Sequence, residues 1–391
     1  MSNVMSTYGR IDLSFVRGEG PWLYTKDEKK FLDFASGIAV NTLGHSHPKL
    51  IDSLREQSNK LWHTSNLYNI EPQIELADLL CKKSFGESVF FCNSGAEALE
   101  GTIKLCRKFH HHNKNENKIN ILVCKNAFHG RTLGTLAAGD NEVHRVGFGV
   151  NTNGFIRVPF GNILEIERYI DENTAAILVE PIQGEGGINV APSNFLQNLR
   201  KICTSNKILL AMDEVQTGVG RTGKLFAHQW ENIEPDVMAI AKGLGGGFPI
   251  GAVVSSKKAA EGMVPGTHGS TFGGNFLASS VAKAVINEVI SPNFLENVLF
   301  LGKSLKSKID NLSKDYPHII EGIRGKGLML GIKCKNSNLE LCAALREEGL
   351  LTVVAGDNIL RLLPPLNIES DHIDICLNIF ESVFSKMDKN L

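Results

Sequence analysis

The 391-residue chain lacks any run of 18 consecutive apolar residues, so no transmembrane helix is expected. Met1 to Arg10 is polar and has none of the apolar core of a secretory signal. None of the eight cysteines (81, 92, 106, 124, 203, 334, 342 and 376) follows a C-x-x-C spacing. Several sit in apolar runs such as Val89-Phe90-Phe91-Cys92, the pattern of reduced, buried thiols in a cytosolic protein rather than of a disulfide framework or a zinc site. Neither sign of charge prevails: 41 basic side chains stand against 42 acidic ones, without a long run of either. Nothing in that balance asks for nucleic acid or a membrane surface as partner. Internal repeats are absent, and so is the G-x-S-x-G elbow that a hydrolase triad of that type needs.

What is present is an ordinary globular composition with surplus glycine, 38 residues, much of it clustered after apolar runs where backbone must approach something closely. The length exceeds what one hydrophobic core usually serves, so two domains are expected. Strand patterns fall at Ser88–Cys92, Asn120–Cys124, Ala175–Glu180, Ile208–Asp213, Val237–Ala241 and Gly251–Ser255. Helical patterns alternate with them at Glu71–Lys83, Ala96–His110, Ile163–Asp171 and Pro192–Ser205. Continuous apolar strands alternating with helices predict an α/β fold with a mostly parallel sheet covered on both faces. After about residue 280 two long helical patterns (Phe276–Ile290 and Asn293–Leu312) lead to strands near Gly327–Cys334, Leu351–Val354 and Ile359–Leu362, then a helix at Asp371–Lys386. That texture predicts a smaller α+β domain. The expected division is an N-terminal segment over 1–48 packing with the small domain, a large domain over 49–280 and the small domain over 281–391.

Ligands of open parallel sheets sit at the carboxyl ends of the strands. Asn93-Ser94-Gly95-Ala96-Glu97 follows the first strand and opens a helix. Free N–H groups there suit an anion such as phosphate, although a Ser94 N-cap with Glu97 three residues on reads equally as a plain cap. Asn126 to Thr132 offers Phe128 for stacking on a ring and Arg131 for a carboxylate, but taken alone it reads better as a loop with one buried Phe and a solvated Arg. Asp213-Glu214-Val215-Gln216 puts a carboxylate where burial demands a cationic or proton-donating partner; a protonated pyridine nitrogen satisfies that, and a metal is the rival. Lys242 ends an apolar strand before Gly243-Leu244-Gly245-Gly246-Gly247. A lysine desolvated there has a lowered pKa and becomes a nucleophile for carbonyls, as Schiff-base chemistry requires. His268 to Asn275 is a small polar loop, again suited to a phosphate.

Taken together, NSGAEALE (93–100), NAFHGRT (126–132), EPIQGEGG (180–187), MDEVQTGVGRTG (212–223), AKGLGGGFP (241–249) and HGSTFGGN (268–275) resemble the class-III aminotransferases, with likeness running from FASGIAVNTLGHSHP (34–48) to LRLLPPL (360–366). The resemblance implies the fold of type I pyridoxal-phosphate-dependent transferases, and pyridoxal 5′-phosphate as cofactor with no metal. It implies Lys242 as the Schiff-base lysine and proton shuttle, with Asp213 on the pyridinium nitrogen. Phe128 would lie on the ring, Glu214, Val215 and Gln216 beside it, and Ser94, Gly95 and Ala96 on the phosphate. Thr271 would complete that phosphate site from the neighbouring subunit of a homodimer. Arg131 is implied for a substrate α-carboxylate, with Ser270 and Tyr8 near the substrate. Arg361 would take a carboxylate of 2-oxoglutarate or glutamate, and Glu185 would pair with it when the amino donor lacks one.

Within the family the likeness leans to members that move the δ-amino group of N2-acetyl-L-ornithine to 2-oxoglutarate in arginine biosynthesis. Users of 4-aminobutyrate, succinylornithine or succinyldiaminopimelate are the alternatives. Ile38 stands where ornithine-using relatives carry tyrosine, which disfavours free ornithine. Two motifs pull elsewhere. Gly218 to Gly223 spells the dinucleotide G-x-G-x-x-G, but no βαβ crossover pattern follows it. His110-His111-His112 suggests metal, yet it reads as a helix end dissolving into solvated Asn, Lys and Glu.

Overall fold

The computed structural model describes residues 3–388. Its centre is a seven-stranded sheet made of β1 (Ser88–Cys92), β2 (Asn120–Cys124), β3 (Phe155–Val158), β4 (Thr174–Val179), β5 (Leu209–Asp213), β6 (Val237–Ile240) and β7 (Gly251–Ser255). The spatial order is β1-β7-β6-β5-β4-β2-β3, and β7 alone runs antiparallel to its neighbours. The carboxyl ends of β1, β2, β4, β5 and β6 therefore share one edge.

Alternation along β4 explains why both faces must be covered. Ala176 and Leu178 join a core with Leu99, Ile103, Ile121 and Val123, beneath the helix Gly95–His112. Ile177 and Val179 face the opposite core with Phe195, Leu199, Leu210 and Met212, toward the helix Phe195–Asn206. Every residue of β4, β5 and β6 is buried, the condition of a strand covered on both sides.

A third core gathers Val298, Leu301 and Leu305 of the helix Phe294–Asp315, Phe380 and Phe384 of the helix Ser370–Asp388, and the inner face of a four-stranded antiparallel sheet. That sheet has the order β8 (Ile320–Lys326), β9 (Met329–Cys334), β11 (Ile359–Leu362), β10 (Val353–Ala355). Leu32 and Phe34 belong to the same core. The meander Arg17–Glu19, Trp22–Tyr24, Lys30–Asp33 is extended by Leu350–Leu351, which pairs with it in parallel.

Several elements differ from expectation. β3 was not anticipated; it is the edge strand, only its last residue is buried, and it carries no apolar run. β8 was missed because two glycines and three charged residues interrupt its pattern, and it is mostly half-buried. The single strand expected over 351–354 is split, Leu350–Leu351 going to the N-terminal sheet and Val353–Ala355 to β11. β6 ends one residue early, because Lys242 turns into left-handed backbone at φ +43°. The Gly218–Gly223 run folds as turns that lead into the short 3-10 helix Ala227–Glu231 and not into an α-helix. All eight cysteines are free, and no helix among the described residues is long and apolar enough to cross a membrane.

Ile177 is fully buried at the middle of β4. Ile177→Ala is expected to cost about 2–5 kcal/mol through lost transfer energy and a residual cavity. The measurement is the urea midpoint, and an unchanged midpoint would contradict the packing described.

Candidate active site

The helix Gly95–His112 opens directly after β1, with Ser94 as an extended N-cap. Ser94 Oγ accepts from the Glu97 amide at 3.2 Å, while the Glu97 carboxylate takes the Asn93 amide at 2.7 Å. The capping alternative for Ser94 is thus realised, and its hydroxyl is spent on the helix. Gly95 and Ala96 line a cavity of about 250 Å³. Their amides lie in the first turn, where no intrahelical acceptor exists and the helix dipole favours an anion. A Cβ on Gly95 would stand 2.7 Å from Val215 Cγ1, so only glycine lets the helix start this close to the end of β5.

The loop after β2 is pinned to that helix start. Gly130 takes φ +136°, and a Cβ there would lie 2.9 Å from Ala96 Cβ. This close passage brings Phe128, His129 and Arg131 into the cavity wall. His129 is fully buried and its Nδ1 lies 2.7 Å from Asp213 Oδ2, while Asp213 Oδ1 accepts the Val215 amide at 3.0 Å. Glu180, next after β4, completes a buried cluster with these two, and among the described residues neither its Oε2 nor His129 Nε2 has a hydrogen-bond partner. Burial, with Asp213 and Glu185 nearby, pushes the Glu180 carboxyl well above the usual carboxylate range. Protonation of this carboxyl is thereby favoured over ionisation.

Lys242 enters the same cavity from the end of β6, and among the described residues its Nζ makes no hydrogen bond. Burial pushes its ammonium down; Glu185, Asp213 and Glu180 oppose the shift and Arg361 adds to it. The Thr42 hydroxyl donates to the Gly243 carbonyl at 3.0 Å and anchors the turn that carries it.

Arg361 of β11 reaches over from the antiparallel sheet and is almost wholly buried. Its Nη1 and Nη2 meet the two oxygens of Glu185 at 2.6 and 3.1 Å, a bidentate pair, and Nη2 also donates to the Val354 carbonyl at 2.9 Å. Gln216 Oε1 lies 3.4 Å from Nη1. Burial works against the Glu185 carboxylate, but Arg361 outweighs it and holds the group below its usual range. Glu185 also borders an adjoining cavity of about 1130 Å³, as do Arg131, His144 and Ile38. Ile38 takes φ +66°, strained for a β-branched residue, and holds its side chain at that wall.

Not every expected residue converges here. Lys242, Asp213, Phe128, Gly95, Ala96, Val215, Gln216, Arg131 and Glu185 line the first cavity, with Arg361 behind Glu185. Glu214 does not: its carboxylate faces away and accepts from the Ala227 and His228 amides, the latter at 2.9 Å, so it fastens a turn. Ser270 and Thr271 lie on a loop outside the cavity, Ser270 Oγ accepting from Asn93 Nδ2 at 3.2 Å and Thr271 exposed. Tyr8 is exposed too, and the chain does not bring it to the cavity. His129 and Glu180 were overlooked as site residues, although each stood inside a motif at a strand end.

The family model for aminotransferase class-III matches residues 4–384. The chain is 51% identical over 360 residues to the acetylornithine aminotransferase of Brucella melitensis, covering 92% of this chain and 89% of that one. Among solved structures, the acetylornithine aminotransferase of Elizabethkingia anophelis superposes with TM-score 0.88 at 35% identity, over 98% of this chain and 96% of that one. The ornithine aminotransferase of Toxoplasma gondii gives TM-score 0.95 at 28% identity, over 99% and 93%. In that structure pyridoxal phosphate partly occupies the active site.

The residues present fit that cofactor. A helix start with unbonded amides suits the phosphate, Phe128 an aromatic face, Asp213 a cationic ring nitrogen, and an unpartnered Lys242 amine the aldehyde. Borohydride reduction of the cofactor-loaded protein, followed by peptide mass mapping, is expected to fix a pyridoxyl group on Lys242. Lys242→Ala removes the label; labelling of a different lysine in the parent protein overturns the assignment.

Proposed function

The chain belongs to the class-III aminotransferase family, and from that premise we propose that it transfers the δ-amino group of N2-acetyl-L-ornithine to 2-oxoglutarate, giving N-acetylglutamate 5-semialdehyde and glutamate, in arginine biosynthesis. The observation that carries this reading is the Glu185–Arg361 pair beside Arg131, which has no ion pair among the described residues. A double-displacement enzyme must admit two different substrates to one site. Arg361 is neutralised by Glu185 while the donor, with one carboxylate, uses Arg131. When Glu185 swings away, Arg361 takes the second carboxylate of 2-oxoglutarate.

Bound, pyridoxal 5′-phosphate supplies an electron sink for the substrate carbon that carries the amine. Lys242 Nζ takes up and returns the proton of that carbon, a task suited to an amine whose pKa burial has lowered. Asp213, oriented by His129, offers its buried carboxylate to the ring nitrogen. Phe128 covers the ring, Val215 and Gln216 flank it, and Gly95 and Ala96 hold the phosphate beside Ser94. Residues 49–280 act as the cofactor-binding domain, and 281–391 with the segment 1–48 as the smaller one that contributes Arg361.

The same reading makes the protein a homodimer whose Thr271 reaches the neighbouring phosphate site, with Ser270 and Tyr8 near the substrate. Leu61, Trp62, Leu67, Tyr68 and Phe272 are all at least half exposed around that loop, a grouping of large apolar side chains that suits a covered face. His63 packs on Phe272 at 5.3 Å between ring centroids, and Asn66 Nδ2 donates to the Ser270 and Gly273 carbonyls at 3.0 Å, which joins the two segments into one face. Eight free cysteines, six of them buried, suit the reducing cytoplasm.

Substrate choice is tested by half-reaction kinetics, following loss of the cofactor's visible band. N2-acetyl-L-ornithine is expected to react faster than 4-aminobutyrate, succinylornithine, succinyldiaminopimelate or free ornithine; a faster reaction with any of these displaces the proposed substrate. Leu67→Glu is expected to lower the mass measured by analytical ultracentrifugation from dimer to monomer, with loss of activity, and a parent protein that sediments as a monomer refutes the shared site.

A further inference from the structure

Arg131 and Arg361 serve neighbouring parts of one site but are held in opposite ways. Arg361 is closed by a carboxylate that matches its charge. Arg131 has no ion pair among the described residues, and its hydrogen bond runs from Nη2 to His144 Nε2 at 3.1 Å. A guanidinium is donor only, so the imidazole must accept, with its Nε2 lone pair free of hydrogen. Phe128 meets that ring edge-on with centroids 6.0 Å apart, and Asn141 Nδ2, a second donor, shares the same Nε2 lone pair at 3.3 Å. The Arg131 guanidinium in turn lies 5.7 Å from the centroid of Phe128, the aromatic residue of the cavity wall. Burial and the charge of Arg131 push the His144 imidazolium below its usual range, with Glu185 opposing, which keeps the ring an acceptor at neutral pH.

A neutral lone pair does something a carboxylate cannot. It restrains a long, flexible side chain in one geometry while leaving its positive charge uncompensated. An acidic partner would have to be expelled by each incoming substrate, as Glu185 must be from Arg361. An arginine without any partner would lose its rotamer freedom only on binding, at the expense of affinity.

We propose that His144 is a positioning and specificity-determining residue, which holds the Arg131 fork open toward the cavity and so selects amino donors that carry a carboxylate remote from the reacting amine. The proposal rests on the reading of Arg131 as the substrate-carboxylate residue. His144 lies outside the six motifs that carry the family resemblance, in the stretch between β2 and β3.

The test uses the cofactor-loaded enzyme and two ligands that divide the substrate between them. N-acetyl-L-norvaline keeps the carboxylate and lacks the reacting amine; N-acetylputrescine keeps the amine and lacks the carboxylate. His144→Phe retains a ring but loses the acceptor, and His144→Gln retains an acceptor oxygen. For His144→Phe, calorimetry is expected to show N-acetyl-L-norvaline binding about tenfold weaker, the worth of one hydrogen bond to a charged group. The KM for N2-acetyl-L-ornithine rises to a similar extent with kcat little changed, and kcat/KM for N-acetylputrescine stays as in the parent. His144→Gln recovers most of the loss. Equal losses on both ligands make the effect merely structural and overturn the proposal, as does unaltered binding of N-acetyl-L-norvaline or a His144→Gln variant no better than His144→Phe. Arg131→Ala separates the two readings. If it binds N-acetyl-L-norvaline as tightly as the parent, the carboxylate role of Arg131 itself is wrong; if it binds weakly while His144→Phe does not, only the role of His144 fails.

Discussion

A carboxylate at the end of a buried strand is tolerable only with compensating partners, and Asp213 imposes that condition on everything around it. His129 answers from the loop after β2, on the one atom of Asp213 that the backbone leaves free to it. Glu180, just past the end of the next strand, is pushed well above the usual carboxylate range by its burial and by Asp213. Lys242 arrives from the third strand in a left-handed conformation, turned out of the sheet and into the same space. The parallel order β6-β5-β4-β2 makes this meeting possible, since each strand delivers its terminal residue at one edge. A cofactor with a cationic nitrogen and an aldehyde meets the demands of Asp213 and Lys242 together.

Beyond that buried centre the site is governed by two arginines in contrasting surroundings. Arg361 is inside the protein and would be a costly uncompensated charge, so a bidentate carboxylate accompanies it. Arg131 is exposed and tolerates a neutral partner. Burial thus decides which cation must carry an ionic partner and which can do without one, and the division suits the two-substrate site proposed above.

Much of this was legible along the chain because β1, β2, β4, β5 and β6 are covered on both faces and read as apolar runs with motif residues at their ends. Lys242 and Asp213 stood out in that way, whereas Phe128, Arg131 and the helix start at Gly95 were singled out only once the motifs were taken together as a family resemblance. The edge strand β3 and the glycine-broken β8 were not, because partial exposure leaves no periodic pattern to follow. Glu214 misled for the complementary reason. It adjoins Asp213 in sequence, yet alternation at a strand end turns successive side chains apart, and its carboxylate serves a turn instead.

By itself the sequence determined the elements and the chemical inventory: which strands are buried, which polar residues stand at their ends, and which family they resemble. Only the tertiary structure decided the pairings that give those residues their properties, Asp213 with His129, Glu185 with Arg361 and Arg131 with His144. The reason is that charge state and orientation depend on desolvation and on partners brought from distant parts of the chain. Lys242 is the clearest case: its position after β6 is a local fact, whereas its unpartnered, depressed amine is a property of the cavity that five strand ends enclose.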